Sequence, residues 1–384
     1  MVVGYVCESD PFVDRNLWSG TIFKIREAIE NAGFEVKWIP FDNKSKKVLL
    51  CEKIRWKLYD LLGRKQILGG VHFIPELYLY SKSVKKDEAF SKCDVLFFPR
   101  AGQIGLFLNT DKPIIYYSDA TAHVMVDYYW KNCHPLSVKM ACYLDKKASQ
   151  KASLNLRSSK WAADSVVNDC KCDPSKSLVL EFGANVDDDD LQPIKPYHEG
   201  TLNILFSGVE WERKGGDIAV ETVRALRRRG LDAVLHIVGI KDLPASCKGY
   251  DYVILHGFYN KRDVLEYKKY IEVFRSCHIM LLPTQAECSA IVYCEAAGFG
   301  LPTYTYATGG TTNYVVDGLN GCALPPKSSA DEFVEVIMND IKENRMDMLH
   351  EGAIRLYQDR LSWGAWSKRF KDIIREYMPN VNNS

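Results

Sequence analysis

Short apolar runs recur along this chain, and between them apolar residues return every three or four positions. The first pattern predicts buried strands and the second predicts helices. Val2–Cys7 is an apolar run that ends in polar Glu8-Ser9-Asp10. From Ser19 to Asn31 the residues Ile22, Ile25 and Ile29 keep helical spacing, and Ala32-Gly33 is a stop. Phe34–Phe41 follows as a second strand. A strand, a loop, a helix and a strand in that order open a parallel α/β sheet. Val95–Phe98, Pro113–Tyr117 and Leu178–Phe182 continue the strand series, with helical stretches between them.

The pattern restarts after Pro193–Gly200. Leu202–Ser207 is a strand, Gly216–Arg229 a helix and Ala233–Val238 a strand. Tyr252–Leu255 and His278–Leu282 are further strands, Ser289–Phe299 a helix and Pro302–Tyr306 a last strand. Two successive series predict two doubly wound lobes facing a cleft. The expected division is 1–193 with a returning helix 365–384, and 194–364. Ligands of such sheets bind beyond the carboxyl ends of the strands, and clefts between lobes are favoured sites.

Length supports this division, since 384 residues exceed one ordinary core. Lys plus Arg is 50 and Asp plus Glu is 49, so the net charge is +1. That balance argues against a nucleic-acid binder. Twelve scattered cysteines without a C-x-x-C pair fit free thiols in a reducing cytosol better than disulfides or a zinc site. The opening MVVGYVCESD reads as a strand, not a signal peptide, and no apolar run is long enough to span a bilayer. The expected location is therefore cytoplasmic.

Chemistry concentrates in Pro283–Gly310. Glu287 stands just before the predicted helix, and Glu295 lies two turns inside it. Eight residues of helix separate two carboxylates by about 12 Å along the axis. That suits a nucleotide sugar lying along the helix start. Glu287 would meet sugar hydroxyls, Glu295 the ribose diol, and the N–H groups of Cys288, Ser289, Ala290 and Ile291 the diphosphate. The plainer alternative is a capping Glu287 and a solvated Glu295.

The residues around the two glutamates carry a resemblance. Glu287-Cys288 through Cys294-Glu295-Ala296-Ala297, then Gly298-Phe299-Gly300-Leu301-Pro302, resembles the E-x7-E motif of retaining GT-B glycosyltransferases, family 4 above all. Ser207-Gly208-Val209-Glu210-Trp211-Glu212-Arg213-Lys214-Gly215-Gly216 resembles that family's phosphate loop. Thr308-Gly309-Gly310, Asp317–Gly321, Leu361-Ser362-Trp363 and Trp366 resemble its later blocks. Trp18-Ser19-Gly20-Thr21, Ser158–Ala162 and Phe182–Asn185 resemble blocks of its first lobe.

The resemblance implies a GT-B fold and sugar transfer from a nucleotide diphosphate-sugar, UDP- or GDP-linked. It implies retention of configuration, a glycan or lipid-linked glycan acceptor, a pathway of bacterial surface polysaccharide, and no metal or other cofactor. The alternative is a non-catalytic accessory or nucleotide-sugar-binding subunit. Lys214 would face the leaving diphosphate. Gly215-Gly216 would let backbone approach the phosphate closely, Gly20 would turn bare backbone to the diphosphate or acceptor, and Gly208 belongs to the nucleotide-binding residues. Val209 stands where many relatives carry a phosphate-binding Arg, and Arg213 is the candidate substitute. Asn313 stands where relatives often carry Glu.

Relatives place a histidine after the strand that matches Pro113–Tyr117. Here Asp119 is the candidate for that place, with His123 one turn later as second choice and a helix cap as the plain reading of Asp119. Phe258, after His256-Gly257, would lie near the nucleobase or pack in a core. The Asp187–Asp190 run reads as a solvated hinge, not a metal site.

Lys44–Gln66 holds eight basic and two acidic residues, a local net charge of +6. Leu50, Ile54, Leu58, Leu61 and Leu62 recur at helical spacing within it. Such a helix either lies on an anionic membrane or packs its apolar face on the first lobe. Oligomeric state has no signature in the sequence.

Overall fold

Each strand pairs in parallel with its neighbours, the arrangement that strand–helix–strand units produce. The computed structural model describes residues 1–61 and 65–379; Leu62 and Arg64 of the basic segment lie outside them. The chain divides into two units, Met1–Leu180 with Trp366–Ser384, and Glu181–Ala365.

The first unit holds β1 (Val2–Cys7), β2 (Glu35–Pro40), β3 (Val95–Pro99), β4 (Ile114–Ser118), β5 (Leu154–Arg157) and β6 (Ser177–Val179). Their order is β2-β1-β3-β4-β5-β6. β1, β3 and β4 are almost wholly apolar because helices cover both faces of a parallel sheet. β5 was not expected, because Asn155 and Arg157 interrupt its apolar run. Both are buried: Asn155 Nδ2 donates to the Ser149 carbonyl at 2.9 Å, and Arg157 Nη1 to the Tyr116 carbonyl at 2.8 Å. The C-terminal residues complete this unit. Trp366 is fully buried and its indole N–H donates to the Tyr117 hydroxyl at 3.0 Å.

The second unit holds β7 (Leu202–Ser207), β8 (Ala233–Val238), β9 (Val253–Gly257), β10 (Ile279–Leu282), β11 (Thr303–Tyr306) and β12 (Gly321–Leu324). Their order is β12-β11-β10-β7-β8-β9. Counted from β7, this is the 3-2-1-4-5-6 order of doubly wound folds, which reverses between β7 and β10. The short β12, which opens on a glycine, was not expected. Residues 181–193, assigned from sequence to the first lobe, sit with this unit. Ala184, Val186 and Leu191 are buried in its core beside Leu205 and Phe299.

Two doubly wound parallel sheets are therefore present, as the periodicity predicts. Among the described residues no helix is long and apolar enough to cross a membrane, and all twelve cysteines are free.

Candidate functional site

The loops after β7 and β10 flank the reversal point of the second sheet, where open α/β sheets bind ligands. After β7, the Gly208 N–H donates to the Val238 carbonyl at 3.0 Å. A single helical turn, Trp211–Lys214, follows and closes on Gly215 at φ 77°. A Cβ on Gly215 would lie 2.1 Å from the Pro283 carbonyl oxygen, so only glycine lets the β10 loop rest there. A Cβ on Gly208 would stand 2.8 Å from Lys214 Cγ, so the bare backbone makes room for the lysine stem.

These contacts bring the sequence-predicted residues together. Lys214 Nζ bonds Glu287 Oε2, and each side chain is only 10% exposed. Arg213 Nη1 lies 3.5 Å from the same carboxylate and donates to the Ala286 carbonyl at 2.9 Å. Its Nη2 pairs with Glu210 at 2.8 Å. The Arg213 carbonyl accepts the Gln285 N–H at 2.7 Å, which joins the two loops through backbone. The Glu287 carbonyl accepts the Gly310 N–H at 3.0 Å, so the Thr308-Gly309-Gly310 turn holds the loop from the other side. Val209 is well exposed.

The helix predicted from Ser289 begins later, at Ile291, and runs to Gly298. Ala290 is its N-cap, with φ −86° and ψ 99°, and has no side-chain group to cap it. The Ser289 hydroxyl engages Tyr314 and does not cap the helix. Cys288 and Ser289 therefore belong to the approach, and Glu287 stands a full turn before the helix.

Glu295 is not on a solvated face. It is 1% exposed, pairs with Lys261 Nζ at 2.7 Å and accepts the Tyr270 hydroxyl at 2.5 Å. Burial, then the Glu295 charge, pushes the Tyr270 hydroxyl well above its ordinary value, which keeps it a donor. Lys261 Nζ lies 4.2 Å from the centroid of the Tyr270 ring. Sequence reasoning missed Lys261 and Tyr270. The available signal was Lys261, three residues past Phe258 in a loop already singled out.

Phe258 is 57% exposed, so the core alternative for it does not hold. Beside its loop, His256 Nε2 and His236 Nδ1 are 3.0 Å apart, and His236 Nε2 lies 3.0 Å from Asn203 Oδ1. Burial, helped by His256 and His278, pushes the His236 imidazole down to about 4.

In the first unit, Gly20 is buried at φ 87° and is the N-cap of the helix Thr21–Asn31. Trp18 and Ser19 before it also have positive φ, 55° and 57°. The N-cap of the helix after β4 is Thr121, so Asp119, half-buried, is not that cap. His123 Nδ1 lies 3.9 Å from Cys170 Sγ. Among the described residues, His123, Asp145 and Cys170 bring one potential ligand atom each within 4.8 Å of one another. Asp145 already accepts from Gln103 Nε2 at 3.0 Å, the Tyr116 hydroxyl at 2.8 Å and the Ala122 N–H at 2.8 Å. Burial raises the Cys170 thiol to about 12, so the group reads as a hydrogen-bonded cluster of neutral thiol and carboxylate. In the Asp187–Asp190 run, Asp188 accepts the Tyr357 hydroxyl at 2.6 Å and Asp190 the Tyr267 hydroxyl at 2.9 Å.

Residues 201–342, which contain both loops, match the family described as glycosyl transferases group 1. The D-inositol 3-phosphate glycosyltransferase of Arthrobacter sp. (strain FB24) is 25% identical over 163 residues, 40% of this chain and 38% of that protein. The sucrose synthase of Denitrovibrio acetiphilus is 25% identical over 122 residues, 30% of this chain and 15% of its own. The chain thus aligns with less than half the length of these curated relatives. Among solved structures, sucrose-phosphate synthase from Thermosynechococcus elongatus is 14% identical, with a TM-score of 0.67 over 99% of this chain and 100% of its own. The lipopolysaccharide outer core galactosyltransferase WaaB is 16% identical, with a TM-score of 0.65 over 98% and 100%. Anabaena HepE in complex with UDP and glucose is 14% identical, with a TM-score of 0.60 over 97% and 98%. The fold is that of GT-B glycosyltransferase structures, and residues 201–342 of the second unit are similar to the glycosyl transferases group 1 domain.

Proposed function

We propose that this chain is a retaining, metal-independent glycosyltransferase of family 4. It moves a sugar from a UDP- or GDP-sugar to a hydroxyl of a glycan or lipid-linked glycan. The observation that carries this reading is the Lys214–Glu287 pair at the reversal point of a 3-2-1-4-5-6 sheet. The family match over the same stretch supports it.

In this reading the donor diphosphate takes the Lys214 ammonium from Glu287 and lies on the N-terminus of the helix Ile291–Gly298, whose dipole favours anions. Lys214, with Arg213 beside it, stabilises the charge that develops as the sugar–phosphate bond breaks. Glu287, freed from the lysine, accepts from sugar hydroxyls. Glu295, held in one orientation by Lys261 and Tyr270, accepts from the ribose diol. Phe258 offers an exposed ring to the nucleobase. A leaving phosphate oxygen takes the acceptor proton on the face it departs from, so configuration is retained without a dedicated base. In the first unit, Asp119 and the Gly20 loop serve the acceptor. The pathway is cell-surface polysaccharide synthesis at the cytoplasmic side of the membrane.

The test is to incubate the purified chain with a panel of UDP-, GDP- and dTDP-sugars and follow release of the nucleoside diphosphate. Release from one donor, accelerated by a glycan acceptor, is expected. Donor binding by thermal shift without any release would overturn the enzymatic assignment in favour of a binding subunit.

A further inference from the structure

The helix Lys46–Leu61 of the first unit is turned inside out. Its inward contacts include a charged residue. Arg55 Nε pairs with Glu76 Oε1 at 3.1 Å, Arg55 Nη1 donates to the Ile67 carbonyl at 3.3 Å, and Glu76 is fully buried. Val48 is the buried apolar residue on that side. The apolar stripe predicted by helical spacing points the other way. Leu50 is 58% exposed, Ile54 48%, Leu58 37% and Leu61 80%. A helix whose purpose was to pack on its own lobe would bury these side chains and expose the arginine. Lys46, Lys53 and Lys57 are exposed as well, and at a spacing of seven and four residues they form a ridge beside the stripe.

We propose that this helix docks the chain on an anionic lipid surface. The leucines and Ile54 enter the interfacial zone, and the lysines reach back to phosphate headgroups along their flexible stems. Charge complementarity selects this occupant. A self-docking copy would bring two lysine ridges together, whereas an anionic bilayer offers apolar depth and negative charge at once. The proposal is independent of the donor chemistry, so vesicle binding and sugar transfer fail or succeed separately.

The test is flotation of the full-length protein with phosphatidylcholine vesicles containing about 30 mol% phosphatidylglycerol, against pure phosphatidylcholine. The protein is expected to float with the anionic vesicles only, and to be released as salt rises. Lys46→Gln/Lys53→Gln/Lys57→Gln should weaken partitioning by about 100-fold, since each lysine contributes roughly a factor of five. Leu50→Gln/Ile54→Gln/Leu61→Gln, which keeps the charge, should weaken it as well. Both triple variants change exposed side chains and should melt within about 2 °C of the parent, so lost binding is not lost folding. Failure of the parent to float with anionic vesicles would overturn the proposal. So would unchanged binding by either triple variant, or a dimer in sedimentation that the Leu50→Gln/Ile54→Gln/Leu61→Gln variant abolishes.

Discussion

Lys214 and Glu287 form an ion pair whose side chains are each only 10% exposed. Removing one partner of a buried pair strands the other charge away from water, which costs about 3–5 kcal/mol when nothing compensates. Arg213, 3.5 Å from the Glu287 carboxylate, compensates in part when Lys214 is lost. Lys214→Met and Glu287→Gln should therefore each cost about 2–3 kcal/mol. For a unit of this size the melting temperature should fall by roughly 4–12 °C. The double variant buries neither charge and should lose less than the two single losses added together, by about 1.5–3 kcal/mol. Scanning calorimetry of the parent, both single variants and the double variant closes this cycle. Additivity within about 0.5 kcal/mol would mean that the two groups do not hold each other, and the geometry of the β7 and β10 loops would need another cause.

Gly215→Ala places a methyl 2.1 Å from the Pro283 carbonyl and forces a side chain onto φ 77°, so it should cost at least about 1–3 kcal/mol in stability, read by scanning calorimetry. Tyr270→Phe removes the hydroxyl that donates to the buried Glu295 carboxylate; a loss of about 1.5–3 kcal/mol in stability and weaker nucleotide binding by calorimetry are expected. Lowering pH should destabilise the second unit between about 6.5 and 4. The unfolded chain protonates His236 near 6.5, whereas the folded chain does so only at about 4, so the unfolded state holds the extra proton in that window. Stability from this group is fully present above pH 6.5, and a flat melting temperature down to pH 4 would contradict the burial of His236.

Much of the fold was legible because parallel strands covered on both faces are apolar throughout. β1, β3 and β10 announce themselves as unbroken apolar runs. β5 hid because Asn155 Nδ2 and the two terminal nitrogens of Arg157 find backbone carbonyls and Ser149 inside the protein, a long-range arrangement that local hydropathy does not report. The pairing of Lys214 with Glu287 was legible only as two loops of one motif; the bond itself depends on β7 and β10 being neighbours. Lys261 and Tyr270 reach Glu295 from a loop and a helix 34 and 25 residues away in sequence, which no local spacing encodes. The motif helix starts at Ile291 and not at Ser289, because Ala290 before it has extended backbone, with ψ 99°. For the basic helix, spacing gave the stripe but not its direction. Arg55 settles that, because its buried partner Glu76 pins that face inward.

The central claim is that Lys214 drives departure of the diphosphate. It is tested most directly by comparing nucleoside diphosphate release from the preferred donor by the parent and by Lys214→Met, well below the melting temperature of both. A fall of about 100- to 1000-fold in turnover, with the donor still bound, is the predicted result. Turnover within a few-fold of the parent would contradict the account.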